Sequence, residues 1–357
     1  MTSVEPIRGL QAARPAVSIA GEADSSLTEG LLSLMVQENV SGIYRCEAEF
    51  GNWGPVDGSI GFLYFDRAKV EFGKAFEIRI DDDTLFEGKI TGIEAHFSGT
   101  RPPTVTVLAE DRLQDLRMTR RTRTFSDVTD ADITEQIASA HGLSTEVDFQ
   151  GPTHRAVAQV NQSDLAFLQL RGARLGVEVW VSGSTLYAKK RTGRAETQSD
   201  LAFGADLKEF NVLADLAHQR TAVLVNGWDV AAKEKISEEA TESAVQAELE
   251  GGDSGATILS ETFSERKESI AHTVPVTGET AREFAAAAFQ ALARRFVVGR
   301  GTLTAAAKLH VGQAVNLTGL GPMFSGKYYV SELTHLFDGV RGMRTEFVGE
   351  RPSLGRA

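Results

Sequence analysis

Cysteine occurs once in this chain, at Cys46, so there is no disulfide framework and no cysteine-based zinc site can be assembled. Long apolar runs are missing as well. The most apolar stretch, Phe284 to Leu292, is mostly alanine and is flanked by Arg282, Arg294 and Arg295. It falls far short of the roughly 20 residues a membrane span requires. The first residues, Met1 to Ala20, carry Arg8 and Arg14 without a continuous hydrophobic region, which argues against a signal peptide. These absences predict a protein made in the cytoplasm, without signal peptide or membrane insertion. Positive charge is also short: 37 Lys and Arg face 49 Asp and Glu, a net charge of −12. Such a surface offers nucleic acid no general positive field.

Catalytic signatures are missing too. The sequence holds no nucleophile elbow, phosphate loop, HExxH or dinucleotide fingerprint. Gly319-Leu-Gly321-Pro-Met lacks a third glycine and leads into a strand, so it reads as a hairpin turn. Asp81-Asp82-Asp83 reads as a solvated turn, because its spacing is not that of a calcium loop. His141 ends a helical pattern, where a histidine complements the dipole, and His335 follows a strand with Asp338 nearby. Neither has a second ligand at metal spacing on its own element, so both read as structural. Glu238, Glu239, Glu242, Glu248 and Glu250 read as one solvated face rather than a glycosidase pair, since no aromatic sugar platform accompanies them. The one dense basic run, Arg117-Met-Thr-Arg120-Arg121-Thr-Arg123, places Arg121 and Arg123 on one face of a strand. Pairing with acidic neighbours, in the same or an adjacent subunit, fits the acidic whole better than a nucleic-acid track. The expectation is a non-enzyme with no catalytic, cofactor-binding or metal residues and no cofactor.

What the chain does have is a strand pattern written twice. Gly73-Lys-Ala-Phe-Glu-Ile-Arg-Ile leads through a turn to Phe86-Glu-Gly88-Lys89 and on to Glu94; Gly312-Gln-Ala-Val-Asn-Leu leads to Phe324-Ser-Gly326-Lys327 and on to Glu332. The offsets are 312 − 73 = 239 and 326 − 88 = 332 − 94 = 238, as if one residue slips in the turn. A repeat of this kind predicts two similar small β-domains, and 357 residues allow two to four domains.

The remaining pattern fills in around the repeat. Leu31 to Val107 alternates as β, with strands over Ile43–Phe50, Ala75–Ile80, Leu85–Ile93 and Thr104–Leu108. Thr129 or Asp130 caps a helix through Ala140, with Gly142 as its stop, and Ser163 caps a second helix ended by Gly176. Val177 to Val181 then hairpins through Ser182-Gly-Ser to Leu186 and its neighbours. Asp206 to Asp229 is β again. Ala231 to Ile270 is Glu-rich, with Gly251-Gly-Asp-Ser-Gly255 expected as a flexible tip. Thr280-Ala-Arg-Glu283 reads as a capping box opening a helix to about Phe296, and β pattern resumes from Gly301. The fold class expected is α+β, mostly β.

Several stretches in order resemble the late control D family: Asp132 through Gly142-Leu; Gln162-Ser-Asp164-Leu-Ala-Phe167-Leu168 through Gly176; Val225-Asn-Gly-Trp228-Asp229; Gly312 through Val330; His335; and Arg344-Thr345-Glu-Phe347. Members of that family are baseplate hub proteins of contractile phage tails. They are similar to the N-terminal part of VgrG in type VI secretion and related injection particles. The resemblance implies two related, tube-like β-barrel domains with inserted α+β domains. These would be a first barrel over 1–125, an α+β domain over 126–205, and a second, discontinuous barrel from 206–230 with 298–351. An acidic loop and helix insertion occupies 231–297, and 352–357 is a tail. It further implies a homotrimer whose six barrels adapt a hexameric inner-tube protein to a threefold spike and line a channel. The implied partners are other copies of the chain, the tube, other baseplate components, and DNA or protein cargo in the channel. A separate spike protein is also implied, because the sequence stops at Ala357 without a needle. Two alternatives stay open: a tail-tip peptidoglycan-degrading enzyme, and an adaptor that recruits cargo through the acidic 231–270 segment. Phage tail and injection system are not separated by these residues.

Overall fold

The computed structural model describes residues 14–195, 198–230, 232–271, 275, 277–304 and 306–356. Of the segment read for a signal peptide, residues 1–13 with Arg8 lie outside the described residues. Among the described residues strands hold 49% and helices 22%, so the fold is mostly β. The first β-rich unit contains β1 (Ala16–Ile19), β2 (Glu22–Ala23), a short helix α1 (Ser25–Gly30), β3 (Leu31–Asn39), β4 (Arg45–Gly51), β5 (Trp53–Val56), β6 (Ser59–Phe62), β7 (Ala75–Ile80), β8 (Asp83–His96) and β9 (Thr104–Glu110). Period-two alternation sets the faces. In β4, Cys46, Ala48 and Phe50 are buried while Arg45 and Glu47 are exposed. They join Leu34, Val36, Ile78, Val105 and Val107 in one core.

A second core follows from α2 (Leu113–Arg117), β10 (Arg120–Val128), α3 (Asp130–Ala140), β11 (Ser144–Asp148), β12 (His154–Ser163), α4 (Asp164–Leu175), β13 (Val177–Ser182), β14 (Thr185–Lys190) and α5 (Arg191–Arg194). The helix boundaries follow their caps. Thr129 accepts from Asp132 N–H while the Asp132 carboxylate accepts from Thr129 N–H, and Ser163 accepts from Ala166 N–H. Gly176, at φ 68°, stops α4 in the left-handed conformation that costs glycine little.

The chain then returns to β with β15 (Gln198–Ala202) and β16 (Leu207–Ala214), leaves it, and comes back at β21 (Val297–Thr304), β22 (Ala314–Thr318), a helical turn α8 (Gly321–Phe324), β23 (Gly326–Asp338), β24 (Gly342–Arg351) and β25 (Ser353–Leu354). The excursion between β16 and β21 holds β17 (Ala222–Asp229), β18 (Glu234–Ala240), a 3-10 turn (Glu242–Glu248), β19 (Asp253–Ser254), α6 (Gly255–Phe263), β20 (Lys267–Ile270) and α7 (Gly278–Ala293). Two local expectations change here. Thr277, not Thr280, caps α7, because its hydroxyl accepts from Thr280 N–H. The expected flexible tip at Gly251–Gly255 is pinned: β19 pairs with β25, and Ser254 caps α6.

The doubled pattern marks two hairpins, β7–β8 and β22–β23, and the duplication extends to five strands. The order β3-β4-β9-β8-β7 is repeated as β16-β21-β24-β23-β22. Bulges fall at matching places, between Leu31 and Ser33 and between Leu207 and Glu209. They recur between Ile90 and Gly92 and between Val330 and Glu332. Gly73 N–H donates to Ile90 and Ile90 N–H to Lys74; Gly312, Val330 and Gln313 make the same pair of bonds. The offset is therefore 239 at the glycine but 330 − 90 = 240 on the second strand, not 238. Gly88 pairs with Phe76 whereas Gly326 pairs with Leu317, so these two glycines are not equivalent. The physical reason is the turn: α8 lengthens the second hairpin, while the first reverses tightly at Asp81 and Asp82.

The two repeats share one ladder, joined where β23 pairs antiparallel with β3 from Glu332↔Asn39 to Asp338↔Ser33. Among the described residues no strand pairing closes either repeat into a barrel.

Candidate functional site

The seam between the repeats is the first place where charge is buried. Leu34, Val36 and Glu38 alternate along β3, so Glu38 falls on the buried face, 4% exposed. A carboxylate there needs partners. His310 Nδ1 lies 2.8 Å from its Oε1, and Val311 N–H donates to Oε2 at 2.9 Å. Burial raises the Glu38 carboxyl, but the bond and charge of His310 outweigh it and hold it below the ordinary range. Burial likewise lowers His310, and Glu38 outweighs that to raise it. His335 on β23 is fully buried, its Nδ1 3.0 Å from Thr345 Oγ1. Burial takes its pKa down to about 4, so it is neutral near pH 7.

A second buried network ties the α+β unit to both repeats. At α5 the side chain of Arg194 is 5% exposed. It donates to Glu178 at 3.0 Å, to Tyr44 Oη at 2.7 Å and to the Val311 carbonyl at 3.1 Å. Its guanidinium lies 4.1 Å from the Trp180 ring centroid. Arg191 donates to Glu350 at 2.7 Å and sits 4.0 Å from the Tyr329 ring centroid, and the Tyr329 hydroxyl donates to Glu178. Burial pushes the Tyr44 and Tyr329 phenols well up, so both stay protonated, Tyr44 accepting from Arg194 and Tyr329 donating to Glu178. Gly312 belongs to this joint. Its φ is +90°, and a Cβ there would run into the Arg194 side chain, whereas the equivalent Gly73, at φ +77°, has open space. One glycine serves a turn; its copy serves a turn and a close approach.

The singled-out residues are distributed around these networks. Arg121 and Arg123 converge on Asp164 at 3.1 and 2.7 Å, together with His141 at 2.9 Å and Gln159 at 2.9 Å. Burial would raise Asp164, but these four partners hold it low. The basic run thus meets an acidic residue of its own chain, and Arg117 meets Glu110. Asp130 is held by Arg171 and His154 in the same way. Asp338 bonds Arg341 and Arg344 rather than His335. Asp81 and Asp82 form the β7–β8 turn, and Gly319 to Met323 the β22–β23 turn. Glu248 is drawn into a bond with Arg294 at 2.6 Å, and Glu242 accepts from Ser254 and Thr257. These two leave the solvated face, and Glu238, in phase with buried Ile236 and Ala240 on β18, is half-buried against Arg282; Glu239 and Glu250 stay exposed, against Lys267 and Lys327. Among the described residues no three His, Cys, Asp or Glu side chains gather to hold a metal ion.

Sequence reasoning passed over Glu38, Glu178, Arg191, Arg194 and Glu350. For Glu38 a signal existed: a charge standing at the apolar phase of a strand. For the others there was none, because their partners lie from 13 to more than 150 positions away.

A solved 43 kDa tail protein of prophage MuSo2 from Shewanella oneidensis superposes with a TM-score of 0.71 at 13% identity, covering 96% of this chain and 99% of that one. The tail protein from Neisseria meningitidis MC58 gives 0.65 at 10% identity, covering 95% and 96%. The E. coli c3393 protein is a type VI secretion component with structural similarity to the T4 tail proteins gp27 and gp5. It gives 0.59 at 13% identity, covering 96% and 79%. At such identities the likeness is one of fold. No curated protein matches by sequence. A family model described as the Alg8 N-terminal domain matches residues 66–338. That match spans well over half of the 357 residues, and the chain belongs to the Alg8 N-terminal domain family.

Proposed function

We propose that this protein is a structural hub of a contractile tail or injection particle. The observation that carries the reading is the duplicated five-strand sheet with its bulges in register. Two like units per chain let a trimer offer six equivalent surfaces to a hexameric inner tube while keeping threefold symmetry for a spike. The fold shared with two tail proteins and a type VI secretion component supports this setting, as does the resemblance to late control D and VgrG. In this reading the repeats and the two α+β units are the domains. Each repeat is a tube-like barrel domain facing a central channel for DNA or protein cargo. The partners are two further copies, the tube protein, a separate spike protein and other baseplate components, and the place of work is the baseplate.

Light scattering on the purified chain tests this. A trimer whose electron micrographs show a six-lobed ring is the expected result. A chain that stays monomeric at high concentration, or one that forms even-numbered assemblies, overturns it.

A further inference from the structure

We propose that copies of this chain join by strand addition, the outer half of β8 in one copy pairing antiparallel with β16 of the next. The inference rests on the hub reading and names the contact through which the hub assembles.

The template lies within the chain. In the second repeat, the inner end of β23 pairs with β22, and its outer half, Glu332–Asp338, passes on to pair with β3 of the first repeat. In the first repeat, the inner end of β8 pairs with β7, but among the described residues Gly92–His96 pair only with β9. At the opposite end of the ladder, among the described residues and apart from a single bridge from its first residue Leu207 to Phe203, β16 pairs only with β21, although its equivalent β3 pairs on both sides. Each copy thus carries one half of the internal junction at either end: an open β8 edge and an open β16 edge.

The repeat offsets give the register. β23 maps onto β8 by 240 (332 − 92) and β3 maps onto β16 by 176 (207 − 31), using the matched bulges. Leu333↔Glu38, His335↔Val36 and Phe337↔Leu34 therefore become Ile93↔Ala214, Ala95↔Val212 and Phe97↔Phe210. All six template residues are buried. Their six counterparts are all apolar, yet in the isolated chain Phe97 is 63% exposed, Ala95 is exposed, and none of the six is buried. Between them, Glu94↔Leu213 and His96↔Asn211 take the outward positions. Two open edges whose inward phases are wholly apolar are a liability unless covered. Each is the complement of the other. The contact is heterologous, so successive copies follow head to tail and close into a ring when the turn allows.

The register sets the test. Glu94 and Leu213 are exposed in the chain and directly opposite in the proposed pair, at the separation a disulfide spans. The double variant E94C/L213C, oxidised in the assembled protein, is expected to link successive copies covalently, while each single variant does not. An assembled protein that yields no such link overturns the strand pairing and leaves the hub reading standing. A chain that never assembles overturns both. Independently, Ala95→Asp places a carboxylate in the buried row without touching the isolated fold. It is expected to weaken self-association roughly a hundredfold with circular dichroism unchanged. Unaltered association refutes the proposal.

Discussion

Replacing Arg194 with methionine is the sharpest probe of the joint between the α+β unit and the repeats. Methionine keeps much of the length and apolar stem but removes three donated hydrogen bonds, to Glu178, Tyr44 and the Val311 carbonyl, and the stacking on Trp180. Breaking a buried ion pair from one side costs about 3–5 kcal/mol. Glu178 is not wholly abandoned, because Arg191 stays 3.6 Å away and the Tyr329 hydroxyl still donates to it. The lower end, about 3 kcal/mol, is the expected loss. Arg194→Lys restores the charge but neither the forked donors nor the flat stacking surface, and recovers about half of it. Urea unfolding followed by tryptophan fluorescence reports the change. Amide exchange at Gly312 and Val330, whose bonds close the adjacent hairpin, should speed up together. A loss under about 1 kcal/mol, or a lysine variant equal to wild type, would mean that the joint is held by packing and not by this network.

The seam titrates with a definite sign. His310, with its folded pKa raised, contributes stability that is complete below 6.5 and fades as pH rises through the raised value. His335, lowered to about 4, contributes stability that is complete above 6.5 and disappears as pH falls toward 4. His310→Ala should therefore flatten the alkaline side of the stability profile. His335→Leu should remove on the order of 3 kcal/mol of acid dependence between those limits, read by denaturant midpoints from pH 4 to 9. Gly301→Val drives a side chain into Phe347 and Leu207 and is expected to cost about 1–3 kcal/mol by overpacking; an unchanged melting profile would refute this. Thr277→Ala should cost about 1 kcal/mol as a lost helix cap, whereas Glu283→Ala, whose exposed ion pair reaches Lys190 at 3.4 Å, should stay within about 0.5 kcal/mol.

Local physics made much of the fold legible. The caps at Thr129 and Ser163 and the stops at Gly142 and Gly176 lie where short-range hydrogen bonds and left-handed backbone demand them. The cap at Thr277 was missed by one turn, since Thr280 and Glu283 imitate the same spacing. Duplication was legible because identical strand ends repeat. Its register was not, because Phe-x-Gly-Lys recurs two residues out of step once α8 lengthens the turn. A letter match cannot see which residue faces which across a ladder.

By itself the sequence determined a mostly β chain, doubled, with helices between the copies, since alternation, capping and turn chemistry act over a few residues. Only the tertiary structure decided how charge is buried. Glu38 finds His310 across 272 positions, and Arg194 finds Tyr44 across 150. Tertiary structure alone also showed that, among the described residues, β8 and β16 each end on an open edge. An edge is a property of the whole ladder: a strand becomes an edge only when every other strand has found its place.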